Sequence, residues 1–75
     1  MSTRFGRVDE FDVERGLGLI VDVDGRRFPF HCTELADGSR RIEVGVEVRF
    51  VELAKLGRYE AGRIEPSGTG APPAR

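Results

Sequence analysis

Residues 6–31 decide the fold, and they read GRVDEFDVERGLGLIVDVDGRRFPFH. Short β-branched and aromatic runs alternate here with turn residues, a pattern that is typical of strands. The stretch predicts two neighbouring antiparallel strands that are joined by a short turn at Asp24 and Gly25. No window of the chain keeps an i, i+3, i+4 apolar stripe for three turns, so the whole chain is predicted to be all-β.

Five strands are predicted, at residues 4–12, 17–23, 26–31, 47–54 and 59–64. Five short strands favour a small antiparallel barrel, because closure of a sheet removes its exposed edges. Val8 and Phe11 lie three residues apart, so a bulge near Asp9 and Glu10 is required if both are buried. Residues 33–44 contain turn residues and are predicted to form a long surface loop with one helical turn at its start.

Two registers are open for the second and third strands. A two-residue turn at Asp24 and Gly25 would pair Leu19 with Phe30 and would bury both leucines of the second strand. A three-residue loop with a left-handed Gly25 would pair Leu19 with Pro29 instead, so that the leucines face solvent. A shift of one residue therefore exchanges the two faces of the sheet.

Composition limits the classes of function. The chain has 75 residues, of which 33% are charged, with a net charge of -1, so it is one small domain without a general excess of positive charge. Its basic residues are almost all arginine, which prefers forked or stacked partners, and Lys55 is the only lysine. A local arginine patch is therefore compatible with the overall charge.

Further sequence features indicate the setting of the domain. Cys32 is the only cysteine, which excludes an intramolecular disulfide and fits a reducing cytoplasm. No apolar run approaches the roughly 18 residues of a membrane span, so we expect a soluble cytoplasmic protein with no membrane partner. Residues 1–65 are predicted to form the barrel, and residues 66–75, rich in proline and glycine, a disordered tail.

The combined motifs resemble the cold-shock domain family over residues 6–64. The motifs are G-x-V at residues 6–8, G-x-G-x-I at 16–20, F-x-F-H at 28–31 and G-x-x-V-x-F at 45–50. The resemblance implies a five-stranded antiparallel barrel of the oligonucleotide-binding (OB) type. It favours the second register, with the core assigned to Phe28, Phe30, Val48, Phe50 and Ile64.

The same resemblance implies weak binding of single-stranded RNA or DNA and a role in regulation of gene expression. Family members stack bases on exposed aromatic residues, and here Glu10, Leu17, Leu19, Pro29 and Cys32 stand at five of those aromatic positions, while Asp9 replaces a lysine. Phe11, Arg15 and His31 match the family's pattern. The predicted contact residues are Phe11, Arg15, Leu17, Leu19, Pro29, His31, Arg40 and Arg41, and Arg26 and Arg27 are further arginines that can pair with phosphate.

A second hypothesis is a protein-interaction module with an exposed apolar patch of Leu17, Leu19, Val21 and Pro29. Catalysis is not expected, because no nucleophile, base and orienting group stand at a recognisable spacing. Neither a cofactor nor a metal is expected, since His31 and Cys32 are the only histidine and cysteine and zinc needs three or four ligands.

Overall fold

A computed structural model describes residues 3–67 of the chain as one antiparallel sheet of five strands. The strands are β1 (Thr3–Asp12), β2 (Leu17–Asp22), β3 (Arg27–His31), β4 (Glu47–Lys55) and β5 (Arg58–Pro66). A 3₁₀ turn, Cys32–Glu34, follows β3 directly and starts the long loop. The predicted all-β OB-type fold is confirmed, and each predicted strand lies within two residues of the observed bounds.

The strands are ordered β3-β2-β1-β4-β5, and the sheet curls so that β3 packs against β5. Within residues 3–67 no hydrogen-bonded ladder joins these two edge strands. The main-chain N–H of Ala36, just after the 3₁₀ turn, donates to the carbonyl of Ile64 in β5 over 2.8 Å. The barrel is therefore closed by side-chain packing and by this short bridge rather than by a complete ladder.

Strands β2 and β3 adopt the second register, in which Leu17 pairs with His31 and Leu19 with Pro29. The turn between them has three residues, because the Asp22 N–H donates to the Arg26 carbonyl and Gly25 has φ +85°. Glycine suits this left-handed position because it has no Cβ to clash there. The leucines of β2 therefore lie on the face opposite to the core.

The core lies on the inner face, with the five predicted core residues among its members. It comprises Val8, Ile20, Phe28, Phe30, Cys32, Leu35, Val48, Phe50, Ala61 and Ile64. Its largest rings, Phe28 and Phe50, meet in a tilted arrangement with centroids 5.2 Å apart. Burial of a side chain of this size stabilises the fold by about 2 to 3 kcal/mol, so a few aromatic residues carry much of a small core.

Two local features set the inner surface of β1 and β2. The register of β1 against β2 shifts between Val8 and Glu10, which is the bulge predicted there. Gly18 leaves room for the Phe30 ring, since a Cβ on this glycine would overlap two of the ring atoms. The glycine therefore lets the Phe30 ring lie directly against the backbone of β2, where it stacks on Phe11.

The end of the sheet extends beyond the predicted boundary at residue 65. Pro66 is the last residue of β5, and the N–H of Ser67 donates to the carbonyl of Glu47 over 2.9 Å. The rest of the predicted tail, residues 68–75, lies outside the described residues. Among the residues that are described, no helix is long and apolar enough to cross a membrane.

Candidate nucleic-acid interface

The outward face of β1, β2 and β3 holds most of the predicted contact residues in two neighbouring rows. Leu19 lies between Glu10 of β1 and Pro29 of β3, and the next row contains Asp12, Leu17 and His31. Leu17 retains 47% of its accessible surface, and Leu19 and Pro29 are half-buried. We call Leu17, Leu19 and Pro29 the apolar strip, which is exposed at Leu17 and partly exposed at the other two residues.

Phe11 occupies the margin between the core and this outward face. It pairs with Gly18, and its ring stacks on Phe30 with centroids 5.9 Å apart and planes 10° from parallel. The ring is half-buried, and it also borders a depression of about 360 Å³ together with Arg15, Leu17 and Leu19. Phe11 therefore packs on the core and still presents an edge beside the apolar strip.

His31 is exposed and its ring is held in one orientation by the residues that follow it. Its Nδ1 accepts a hydrogen bond from the Thr33 N–H over 3.2 Å and lies 3.0 Å from the Thr33 hydroxyl. A nitrogen that accepts from a main-chain N–H carries no hydrogen, so neutral His31 has its hydrogen on Nε2. That Nε2–H is a donor beside Leu17 for a base or a phosphate.

The turn between β1 and β2 carries Arg15 and an ordered carboxylate. Asp12 Oδ1 accepts hydrogen bonds from the main-chain N–H groups of Glu14 and Arg15, over 3.0 and 3.2 Å. The Arg15 guanidinium lies 3.9 Å from the other Asp12 oxygen and is 76% exposed. An exposed pair at that distance is worth little, so Arg15 remains available to a phosphate.

Acidic residues border the same end of the face. Asp9 and Glu10 are both exposed, and within residues 3–67 neither forms an ion pair. Uncompensated carboxylates repel the phosphates of a nucleic acid. The region around the apolar strip therefore combines an apolar surface with a negative electrostatic potential that repels a polyanion.

Arg40 and Arg41 lie elsewhere, in the loop between the 3₁₀ turn and β4. Both are exposed, and Arg41 borders a separate depression of about 210 Å³ with Leu35, Ile42 and Ile64. None of the residues that border the depression beside the apolar strip borders this one. The structure thus brings together six of the eight predicted contact residues and leaves these two apart.

An arginine-carboxylate cluster at the opposite end of the barrel was not predicted. The buried Asp22 accepts from Arg4 Nη2 over 2.7 Å and from Arg4 Nε over 3.1 Å. Its other oxygen accepts from the N–H groups of Asp24 and Arg26 and so shapes the β2–β3 turn. The Glu52 carboxylate lies between two arginines, with Oε1 3.4 Å from Arg4 Nη1 and Oε2 3.5 Å from Arg26 Nη2.

The cluster has clear electrostatic consequences. Burial alone would raise the pKa of the Asp22 carboxyl, but the bonds from Arg4 and from two main-chain N–H groups outweigh burial and hold that pKa below its ordinary value. The hydrogen bond to Asp22 raises the pKa of the Arg4 guanidinium. The guanidinium carbons of Arg4 and Arg26 also lie 5.4 and 5.0 Å from the Phe28 ring centroid, so both side chains pack on this core ring.

Other kinds of site find no support in the described part of the chain. Within residues 3–67, no group of three or more His, Cys, Asp and Glu side chains is arranged to hold a metal ion. Cys32 is buried, and its N–H donates to the Gly16 carbonyl over 2.7 Å. Cys32 therefore contributes to the core rather than to the outward face.

Comparison with known proteins supports the resemblance that the motifs indicate. No family model matches the chain, and no curated protein matches it. The solved structure of drosophila Unr CSD456 is similar, with a TM-score of 0.78 and 27% sequence identity, over 96% of this chain and 29% of that one. The present chain thus spans less than a third of that protein's length, and the cold-shock-like OB fold predicted from the motifs is confirmed.

Proposed function

We propose that this chain, a cold-shock-like domain, binds single-stranded RNA or DNA weakly on the outward face of β1, β2 and β3. The observation that carries the proposal is the outward direction of Leu17 and Leu19, in register with His31 and Pro29. A role in regulation of gene expression would follow from such binding.

The apolar strip supports contact with bases but not strong stacking. Stacking of one base on an aromatic side chain is worth about 1 to 3 kcal/mol, whereas a leucine offers only dispersion and apolar burial. Among the phenylalanines and the tyrosine of residues 3–67, only Phe11 borders the depression beside the strip, and part of its ring is already covered by Phe30. The affinity per nucleotide is therefore expected to be low.

Polar contacts support binding of the nucleic-acid backbone. The Arg15 guanidinium and the Nε2–H of His31 are exposed donors near Leu17, since Arg15 borders the same depression as Leu17 and His31 is its cross-strand partner. Opposed to them are Asp9 and Glu10, so the net attraction is small and depends on ionic strength. Binding should weaken as salt is added, with a slope that reflects the small number of phosphate contacts.

The proposal is tested by titrating a fluorescein-labelled short oligothymidine or oligouridine with the protein and following its fluorescence anisotropy. The label is on the oligonucleotide because the chain has no tryptophan whose fluorescence could report binding. At about 50 mM salt we expect a dissociation constant on the order of 10 to 100 µM. Absence of any anisotropy change at high micromolar protein would refute nucleic-acid binding.

A matched pair of variants tests the location of the site. Leu17→Glu places a charge in the apolar strip, whereas Val44→Glu makes the same type of change at a residue in the long loop that is 61% exposed. We expect the first variant to lose about tenfold in affinity or more through lost contact and added repulsion. The second should change affinity by no more than about twofold.

A protein ligand is the second candidate for the same face. The observation in its favour is the apolar strip beside Glu10, because an exposed apolar patch with adjacent carboxylates suits a protein surface better than a polyanion. In that case the wild-type chain would retain a protein from a lysate, Leu17→Glu would not, and the labelled oligonucleotides would not bind to either.

A further inference from the structure

The outward face continues past the apolar strip into a row of opposite charge. Arg7 of β1, Val21 of β2 and Arg27 of β3 are paired in register, one row beyond Glu10, Leu19 and Pro29. Because strands in a sheet lie about 4.8 Å apart, the two arginines start about 10 Å from each other, one on each side of Val21. We call Arg7, Val21 and Arg27 the basic row.

The arginines of the basic row have no carboxylate partner, unlike several other arginines of the strands and turns. Arg4, Arg26, Arg49 and Arg58 each lie within 4.0 Å of a carboxylate oxygen. Between Thr3 and Ser67, neither Arg7 nor Arg27 forms an ion pair, and both are exposed. Each of the two guanidinium groups has five N–H donors, which remain available to an anion on this face.

An exposed aromatic ring lies beside the basic row. Phe5 is two residues before Arg7 on the same face of β1 and keeps 51% of its accessible surface. Its carbonyl accepts from the N–H of Val23 over 3.0 Å, which fixes the end of β2 beside it. Phe5, Arg7, Val21 and Val23 border a depression of about 400 Å³, within the range of roughly 300 to 1,000 Å³ that is typical of small-molecule sites.

We propose that single-stranded nucleic acid extends from the apolar strip onto the basic row, where Arg7 and Arg27 contact backbone phosphates and Phe5 stacks on a base. This inference rests on the function proposed above and assigns the main electrostatic contacts of that function. A guanidinium pairs well with phosphate, and an exposed phenylalanine offers the flat surface on which any base can stack.

The distribution of charge on the face favours this path. Asp9 and Glu10 lie beside the apolar strip, so a polyanion gains less there than at the basic row. Glu47 of β4 is the cross-strand neighbour of Arg7 and borders the same depression. Its carboxylate lowers the positive potential and should limit affinity.

The test uses anisotropy titrations of labelled oligothymidine with the full chain at about 50 and about 200 mM salt. Arg7→Ala/Arg27→Ala removes the basic row, and Lys55→Ala/Arg58→Ala removes the same charge from the β4–β5 hairpin. We expect about a tenfold loss of affinity at low salt and a salt slope flatter by about 1.4 for the first variant, since each phosphate contact on a single strand contributes about 0.7. The hairpin variant should stay within about threefold of the wild type.

Two single substitutions sharpen the result. Phe5→Ala should weaken binding by about fivefold or more through loss of stacking, and because the ring is half exposed the variant should still fold. Glu47→Gln should strengthen binding by about threefold, since it removes the carboxylate opposite Arg7.

The outcomes separate the inference from the function on which it rests. If the wild type binds, and the basic-row variant keeps the wild-type affinity and salt slope, the inference is wrong while nucleic-acid binding stands. If the hairpin variant loses as much as the basic-row variant, general charge explains the effect and the inference is also wrong. If the wild type does not bind, both fail.

Discussion

The inner and outward faces of β2 and β3 differ in how closely their residues match the cold-shock motifs. On the inner face, Ile20, Phe28 and Phe30 are buried and belong to the motifs that resemble the cold-shock family. On the outward face, aliphatic residues such as Leu17 and Leu19 stand where that pattern has aromatic ones. Because side chains alternate between the two faces, the residues that form the core are not those that face solvent, and the outward residues can change while the fold is retained.

The largest difference between the two faces should appear in stability. Phe30→Ala should lower the free energy of unfolding by about 3 to 4 kcal/mol, because it removes a buried ring and leaves a cavity. Leu19→Ala, on the neighbouring outward row, should cost less than about 1 kcal/mol since that side chain is half-buried. Urea unfolding of both variants measures this, and equal losses would contradict the division into faces.

A second test adds an atom to the inner face instead of removing a ring. In Gly18→Ala the new methyl group would overlap the Phe30 ring, which must move and disturb its stacking on Phe11. Overpacking of this kind costs about 2 kcal/mol. Thermal unfolding of this variant beside Gly38→Ala, where a Cβ would meet open space but φ is +73°, separates overlap from backbone strain. A smaller loss for Gly18→Ala than for the control would show that the close packing is unimportant.

The Asp22 cluster gives a third, pH-dependent test of what holds the inner face together. Asp22→Asn should destabilise the domain by about 1.5 kcal/mol near neutral pH, because it replaces a charged hydrogen-bond acceptor of Arg4 with an amide. The folded-state pKa of Asp22 lies below its ordinary value of 3.8, so the stabilisation is present above that value and is lost as pH falls through the folded pKa.

The stability gap between wild type and Asp22→Asn should therefore narrow as the pH falls from neutral to below 3.8, the ordinary pKa of an aspartate. Urea midpoints measured across that range check the sign. A gap that widens on acidification would mean that the Asp22 carboxyl is not held in its charged form.

The smallest effect on stability, with a distinct effect on binding, is expected on the outward face. Leu17→Phe/Leu19→Phe should change the free energy of unfolding by no more than about 0.5 kcal/mol, since neither residue belongs to the core. The same variant should bind oligothymidine about fivefold more tightly or better, because each added ring can stack on a base. Unchanged affinity would count against this face as the interface.

Much of the fold could be predicted because local rules determine it. Gly16 and Gly18 with Ile20, and the spacing of Phe28 and Phe30, specified the strands, and the three-residue turn at Gly25 was one of two registers that the residues allowed. The bulge followed from the need to orient both Val8 and Phe11 toward the core. These features depend on residues close in sequence or on adjacent strands.

The roles of the arginines could not be predicted in the same way, because they depend on partners distant in sequence. Arg26 and Arg27 are adjacent, yet the first lies over Phe28 and beside Glu52, while the second lies on the outward face. An aspartate three residues before the turn glycine was the available signal for Asp22, since such residues often bond to the turn backbone. Arg40 and Arg41 lie in a loop without periodicity, so nothing local specified their surroundings.

The most direct test of the account is a chemical-shift map of the isotope-labelled chain during titration with short oligothymidine. We predict that the amides of β2 and β3 between Leu17 and His31, with those of Phe5 and Arg7, shift progressively, while the amides of the β4–β5 hairpin around Gly57 do not. Shifts confined to the hairpin, or to the long loop at Arg40 and Arg41, would contradict the assignment of the outward face as the nucleic-acid interface.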